Sequence, residues 1–306
     1  MSAPRTWLDN AATAARVAGS RGDLWLPGAL GALPWLGWLP LVVTVGAFPR
    51  TSDLAFMGAD LLSSSLFPLN VILISIVAAL AVLVACLIAS LAEASLLRAQ
   101  GLGTPDRSIA REVEVTFSVT LLGVLPAVAV GAALVSGVAA VAPAEFGAPD
   151  LGVPLAVRVA LRLAPLLIAF TLLTLLGQSF AAVALRRAIG PGARPVGEAA
   201  KAALRDLLHR PVRRFGLAVT AFVADLIALA LAVALLRVLW APIGADLGGG
   251  DLVSPTALLL LVGFVAIWLA VILAFGALHV LFSTWWSLET GALPGEAAAE
   301  AMEAQP

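Results

Sequence analysis

Six blocks of apolar residues, 24–48, 69–92, 115–141, 163–185, 215–239 and 256–286, divide this chain, and polar residues gather almost wholly between them. A helix needs about 20 apolar residues to cross a hydrocarbon core. Every block is long enough, so the pattern predicts six transmembrane helices. The first block, LWLPGALGALPWLGWLPLVVTVGAF, carries Pro27, Pro34 and Pro40 and is the least regular. Backbone groups freed by proline inside lipid must find partners in neighbouring helices or water, so a kink near Pro34 or Pro40 is expected. The block 69–92 is the cleanest, free of charge until Glu93. The third contains Pro126, the fifth contains Asp225, and the sixth ends in Trp285 and Trp286, an aromatic belt at the membrane interface.

Shorter periodic stretches lie between the blocks. Residues 5–19 place Trp7, Leu8, Ala11, Ala15 and Ala18 on one helical stripe, with Arg5, Asp9, Thr13 and Arg16 opposite. That predicts an interfacial helix, with Trp7 as a headgroup-level anchor. Within 186–214, Val196, Ala200, Leu204, Leu207 and Leu208 form a second such stripe, while Glu198, Lys201, Arg205 and His209 face away. Pro211 is expected to break that helix. Residues 240–255 are predicted as a turn and 287–306 as an acidic tail.

Three departures from the apolar blocks look alike. LAEASLLRAQGLGTPD, FAAVALRRAIGPGARP and FSTWWSLETGALPGEA each stop at a glycine (Gly101, Gly190, Gly291), with Pro105, Pro195 or Pro294 soon after. Thr104 and Pro105 suit the start of a new helix. The pattern predicts an all-α polytopic membrane protein built as three helical hairpins, with a threefold repeat of interfacial helix plus hairpin. Its organisation is a cytoplasmic N-terminal interfacial helix at 1–23, a six-helix membrane domain at 24–286 and a cytoplasmic tail at 287–306. Any helix ending at a membrane surface favours glycine followed by proline, so chance supplies part of the likeness.

Charge decides the orientation. With six crossings both termini share one face. That face holds fourteen Lys and Arg residues, eight of them in 186–214, against four (Arg50, Arg158, Arg162, Arg237) on the other. Basic loops stay cytoplasmic, so both termini and the basic loop are expected inside. Arg158 and Arg162 sit four apart and are expected to snorkel toward headgroups. The chain is 61% hydrophobic and 12% charged, against about 45–50% and about 25% in soluble domains, so it needs lipid as solvent. Seventeen arginines against one lysine, with abundant Ala, Gly, Leu and Val, fit a GC-rich bacterial genome. Asp9, Asn10, Arg16, Arg21 and Asp23 interrupt the place where a cleavable signal would carry its apolar core, so none is expected. Cys86 is the sole cysteine, which excludes an intramolecular disulfide and a cysteine-rich metal site.

Candidate chemistry is sparse. Asp225, ten residues beyond Phe215, falls near mid-membrane, where a carboxylate is normally neutral, paired or facing a wet cavity. It reads either as a proton or cation site or as a helix-packing residue; the absence of a second acid at that depth favours packing. Glu93 is expected to pair with Arg98 or meet the interface. His279 occupies the repeat position of Gln178, a polar helix–helix contact; a lone histidine is a poor metal ligand. Arg205, Arg210, Arg213 and Arg214 would attract anionic phospholipid at roughly 1 kcal/mol each, besides setting topology. The glutamates 289, 296, 300 and 303 are expected to touch that cluster loosely. No phosphate-binding glycine loop, HExxH or GxSxG occurs. No catalytic residue, metal or cofactor is expected, and no nucleic-acid partner.

The order interfacial helix, hairpin, basic interfacial helix, hairpin, with exits at Gly101, Gly190 and Gly291, resembles a diffuse group of six-helix bacterial membrane proteins. They include the membrane domain found beside glycerophosphoryl-diester phosphodiesterases and related domains of unknown function. The resemblance implies a membrane-embedded accessory or lipid-associated role and carries no catalytic residue. The expected function is therefore a non-enzymatic inner-membrane scaffold or accessory subunit in envelope or lipid-related processes, with anionic phospholipid, a protein or a second copy as partners. The alternative is a transport component, such as the permease subunit of an ABC-type exporter. Against that, the dominant loop lies between spans four and five, whereas a docking helix belongs chiefly between spans two and three.

Overall fold

In the computed structural model, residues 6–45, 60, 63–102, 108–146, 153, 155–248 and 255–293 are described. They are helical, with no strand among the described residues. In chain order the helices are α1 (Trp7–Ser20), α2 (Trp25–Ala32), α3 (Leu39–Val45), α4 (Leu69–Ala99), α5 (Ile109–Phe146), α6 (Leu155–Arg162), α7 (Ala164–Ile189), α8 (Val196–His209), α9 (Pro211–Gly248) and α10 (Pro255–Glu289). Five of them (α4, α5, α7, α9 and α10) are long and apolar enough to cross a bilayer. Their apolar side chains are not buried against one another: on α4, Val77 is 64% exposed and Leu80 55%. Water would penalise that surface by about 25 cal/mol per Å², and acyl chains remove the penalty. The chain is a multi-pass membrane protein.

The first apolar block differs from the five. It is divided into α2, a π turn at Leu33–Gly37 and α3. Pro34 opens the turn and Pro40 sits in the first turn of α3, so two backbone donors are missing where an unbroken helix needs them. Two tryptophans bond carbonyls of the π turn: Trp38 Nε1 donates to the Pro34 carbonyl at 2.9 Å, and Trp268 Nε1 to the Gly37 carbonyl at 3.0 Å.

The chain forms two compact units. The first comprises Met1–Ala47, Ala85–Thr120 and Ser179–Pro306; the second comprises Phe48–Val84 and Leu121–Gln178. In the first unit, α2 and α10 cross where two glycines meet. A Cβ on Gly276 would lie 2.3 Å from the Trp25 carbonyl oxygen, and one on Gly28 would lie 2.4 Å from that of Gly276. Small residues let helix backbones approach this closely in lipid. Around the crossing pack Ala18, Leu24, Leu96 and Val280, and further along α10 Ala32, Ala232 and Phe275. Helix α1 lies against the end of α10, with the Trp7 and Trp285 rings 4.6 Å apart, and Trp25 Nε1 donates to the Ala18 carbonyl at 2.7 Å.

In the second unit, a Cβ on Gly177 of α7 would lie 2.1 Å from the Gly123 oxygen of α5. Ala142, Val159 and Leu163 form its core. Arg158 and Arg162 do not simply snorkel: Glu145 takes both, with Arg162 Nε at 2.9 Å and Arg158 Nη2 donating to the Glu145 carbonyl at 2.7 Å.

Both amphipathic stripes turn out differently from the expectation. Helix α1, opened by a Thr6–Asp9 capping box, buries Asn10, Thr13, Ala14, Val17 and Ala18 and leaves Leu8 exposed. Helix α8 buries Ala199 and Ala203, while Leu204 and Leu208 point out. Leucines of both helices therefore face away from the protein while alanines face in, as suits helices beside a bilayer. The exits also split. Gly101 (φ +79°) and Gly291 (φ +69°) close their helices identically, with Leu102 N donating to the Leu97 carbonyl and Ala292 N to the Ser287 carbonyl. This is the six-to-one bond of a Schellman cap. In the middle exit Gly192 (φ +73°), not Gly190, holds the left-handed position. Residues 240–248, expected as a turn, continue α9 through Pro242. The helix breaks at Pro211 as expected: α8 ends at His209, Arg210 leaves the helical region (φ −133°, ψ 51°), and Pro211 opens α9 at its first position. The Thr104–Pro105 start and the glutamates 296, 300 and 303 lie outside the described residues.

Gly276→Ala is expected to lower the thermal unfolding midpoint in mild detergent, at a cost of about 1–3 kcal/mol for overpacking. Gly263→Ala on the same helix, with nothing within 4 Å of its Cβ position, is expected to leave the midpoint unchanged or raised.

Candidate functional site

Two polar layers converge near one end of the first unit, and α10 supplies residues to both. The upper layer centres on Arg186 of α7, whose side chain is 2% exposed. Its Nε donates to Ser287 Oγ at 3.0 Å, its Nη1 to the Ala182 carbonyl at 3.1 Å, and its Nη2 to the Ser283 carbonyl at 2.7 Å. Nη2 also lies 2.9 Å from Ser283 Oγ and 3.3 Å from Glu93 Oε1. Glu93 of α4 in turn accepts from Ser283 Oγ at 3.0 Å and faces His279 Nε2 at 2.9 Å. An ionised carboxylate can only accept, so Nε2 of His279 carries the proton in this pair. The spacing Ser283–Ser287, one turn of α10, puts two hydroxyls on the face that meets Arg186.

The lower layer ties α1, α8, α9 and α10 together. Glu289, at the end of α10, accepts from Asn10 Nδ2 at 2.7 Å and takes both Nε and Nη2 of Arg213. Arg214 is buried; its Nε donates to Asp206 Oδ2 at 2.8 Å. Its Nη1 lies 4.0 Å from Glu289 Oε2, with no hydrogen-bond partner. Beside this layer is a cavity of about 330 Å³ lined by Arg187, Arg210, Arg213, Arg214, Asp206 and Glu289, with Asn10 and Thr290 adding polar groups.

The expected site residues are placed as follows. Glu93 and His279 come together, but Glu93 pairs with Arg186 rather than Arg98, which bridges to Glu112 at 3.3 Å. Asp225 is half-buried on α9 within electrostatic reach of His279 and has no hydrogen-bond partner among the described residues. Gln178 is exposed on α7 and belongs to the second unit. Arg210, Arg213 and Arg214 share the cavity, whereas Arg205 is exposed and does not line it. Glu289, expected in a loose tail, is a buried member of the helix end. Cys86 is buried and free. Among the described residues no three His, Cys, Asp or Glu side chains gather as a metal site would need.

Sequence reasoning did not single out Arg186, Arg187, Asn10, Ser283 or Ser287. One signal was available: an acid at Glu93 within an apolar helix demands a cation, and Arg186 directly follows the apolar block 163–185. No family model, curated protein or solved structure matches the chain.

Glu289→Ala is expected to destabilise the protein by about 1–3 kcal/mol, because it leaves the buried Asn10 amide without its acceptor and takes a nearby carboxylate from buried Arg214. Glu114→Ala breaks only an exposed pair with Arg111, worth about 1 kcal/mol or less. Unfolding midpoints of the two variants in the same detergent check the contrast.

Proposed function

We propose that this chain is a six-span protein of a bacterial inner membrane, with its termini and basic segment cytoplasmic, serving as an accessory or scaffold protein at an anionic phospholipid surface. The observation that carries the reading is α8. It sets Ala199 and Ala203 against the protein and turns Leu204 and Leu208 outward beside exposed Arg205 and Arg210. Apolar residues next to cations at a helical surface suit the boundary between acyl chains and headgroups. The proline-broken segment α2–α3 supplies the sixth crossing, and the excess of basic residues on one face supplies the orientation. Three helical hairpins, with the like caps at Gly101 and Gly291, keep a repeated architecture and the resemblance to membrane domains beside glycerophosphoryl-diester phosphodiesterases within this proposal.

Charge pairing supports a scaffold. Glu93, Asp206 and Glu289 are engaged by Arg186, Arg214 and Arg213, so these groups hold helices together. A transport component is the second reading, favoured by the Glu93–His279 pair with Asp225 nearby inside membrane-crossing helices.

Because Cys86 is buried, Lys201→Cys in a Cys86→Ala background provides a single exposed thiol. It is expected to react with an impermeant maleimide in inverted vesicles and not in right-side-out ones; the reverse labelling would overturn the orientation. Mass spectrometry after purification in nanodiscs is expected to find anionic phospholipid retained, and a stoichiometric ATPase instead would favour transport.

A further inference from the structure

The geometry points to the cavity beside Arg214 as a binding site for one phosphate group, held by Arg187, Arg210 and Arg214. Three observations converge on it. First, the lining carries four guanidinium groups against two carboxylates, which leaves two positive charges uncompensated. Second, the carboxylates are already committed: Glu289 to Arg213 and Asn10, Asp206 to Arg214 Nε. The guanidinium groups of Arg187 and Arg210 have neither an acidic partner nor a hydrogen bond among the described residues, and Arg187 is half-buried. Third, Arg214 is 2% exposed and its Nη1 has no hydrogen-bond partner. A buried donor left unsatisfied costs about 1–3 kcal/mol, so the site calls for an acceptor.

Phosphate is the group that suits this set. Its several oxygens can accept from three guanidinium forks at once, and arginine is the side chain matched to that geometry. A volume of about 330 Å³ is at the low end of the roughly 300–1,000 Å³ usual for small-molecule sites. That is room for a phosphate with a short ester substituent. The group can come from a phospholipid headgroup or from a soluble phosphate ester. The inference shares with the scaffold reading only the placement of this end at headgroup depth; the phosphate site itself does not depend on a scaffold role.

The test uses the full chain purified in a zwitterionic detergent, with inorganic phosphate and glycerol 3-phosphate as soluble probes in calorimetric titrations. A parallel arm counts retained lipid by native mass spectrometry from nanodiscs containing phosphatidic acid or phosphatidylcholine. Arg187→Gln and Arg210→Gln are the variants, since Arg214 substitutions endanger folding. Arg194→Gln removes the same charge from an exposed side chain of the same basic segment that does not line the cavity. The expected result is one saturable site per chain, weakened about tenfold or more by Arg187→Gln or Arg210→Gln, as loss of a charged hydrogen bond implies, and unchanged by Arg194→Gln. Binding of the soluble probes assigns a free phosphate ester, and retention of phosphatidic acid alone assigns a lipid headgroup; either supports the site. Phosphatidic acid retained equally by all three variants, with no soluble binding, would leave lipid attraction intact and overturn the cavity site. Absence of saturable binding in both arms would overturn it too.

Discussion

A guanidinium withdrawn from both water and lipid is the constraint on which the first unit depends. Moving such an ion into a low-dielectric interior carries a penalty of several kcal/mol even after relaxation. Arg186 therefore exists at its depth only because acceptors surround it: the Glu93 carboxylate, the Ser283 and Ser287 hydroxyls and the carbonyls of Ala182 and Ser283. Those acceptors come from α4, α7 and α10, so satisfying one side chain fixes three helices in rotation and in depth. Lipid tails are as apolar as leucine and give helices little hydrophobic reason to associate. Polar satisfaction and close glycine crossings supply the specificity instead, at Arg186 and at Gly28–Gly276.

The two polar layers divide the labour along α10. Ser283 and Ser287 serve Arg186, and half a turn beyond them Glu289 serves Arg213, Arg214 and Asn10. The Schellman cap at Gly291 ends the helix just past Glu289, which holds the carboxylate where α1, α8 and α9 can reach it. The cavity beside Arg214 follows from this ending. Four arginines were drawn to one end of the unit, and the two acids there neutralise only part of them.

Much of the fold was legible in the sequence, because a run of about 20 apolar residues has few alternatives to a crossing helix. The faces of α1 and α8 were not. Amphipathic reasoning assumes that the largest apolar residues pack inward, whereas beside a bilayer Leu8, Leu204 and Leu208 gain as much from lipid as from protein. That leaves Ala14, Ala199 and Ala203 to make the close contacts. The proline-rich first block was legible as irregular, but which distant side chain would bond its turn was not, since Trp268 lies 231 residues from Gly37. The site was legible only in part. Glu93, His279 and the arginine cluster stood out as residue types. Arg186 was hidden in a basic run that sets topology, and its acceptors sit about 90 to 100 residues away in either direction, beyond any local spacing rule.

The most direct test of the central claim is a double-mutant cycle between Glu93 and Arg186, read by equilibrium unfolding in mixed micelles with Glu93→Leu, Arg186→Met and the pair. The expected result is that each single change strands a buried charge at about 3–5 kcal/mol, while the double variant recovers part of the loss, with a coupling of about 1.5 kcal/mol or more. Single changes that add to within about 0.5 kcal/mol would contradict the view that this buried pair organises the unit.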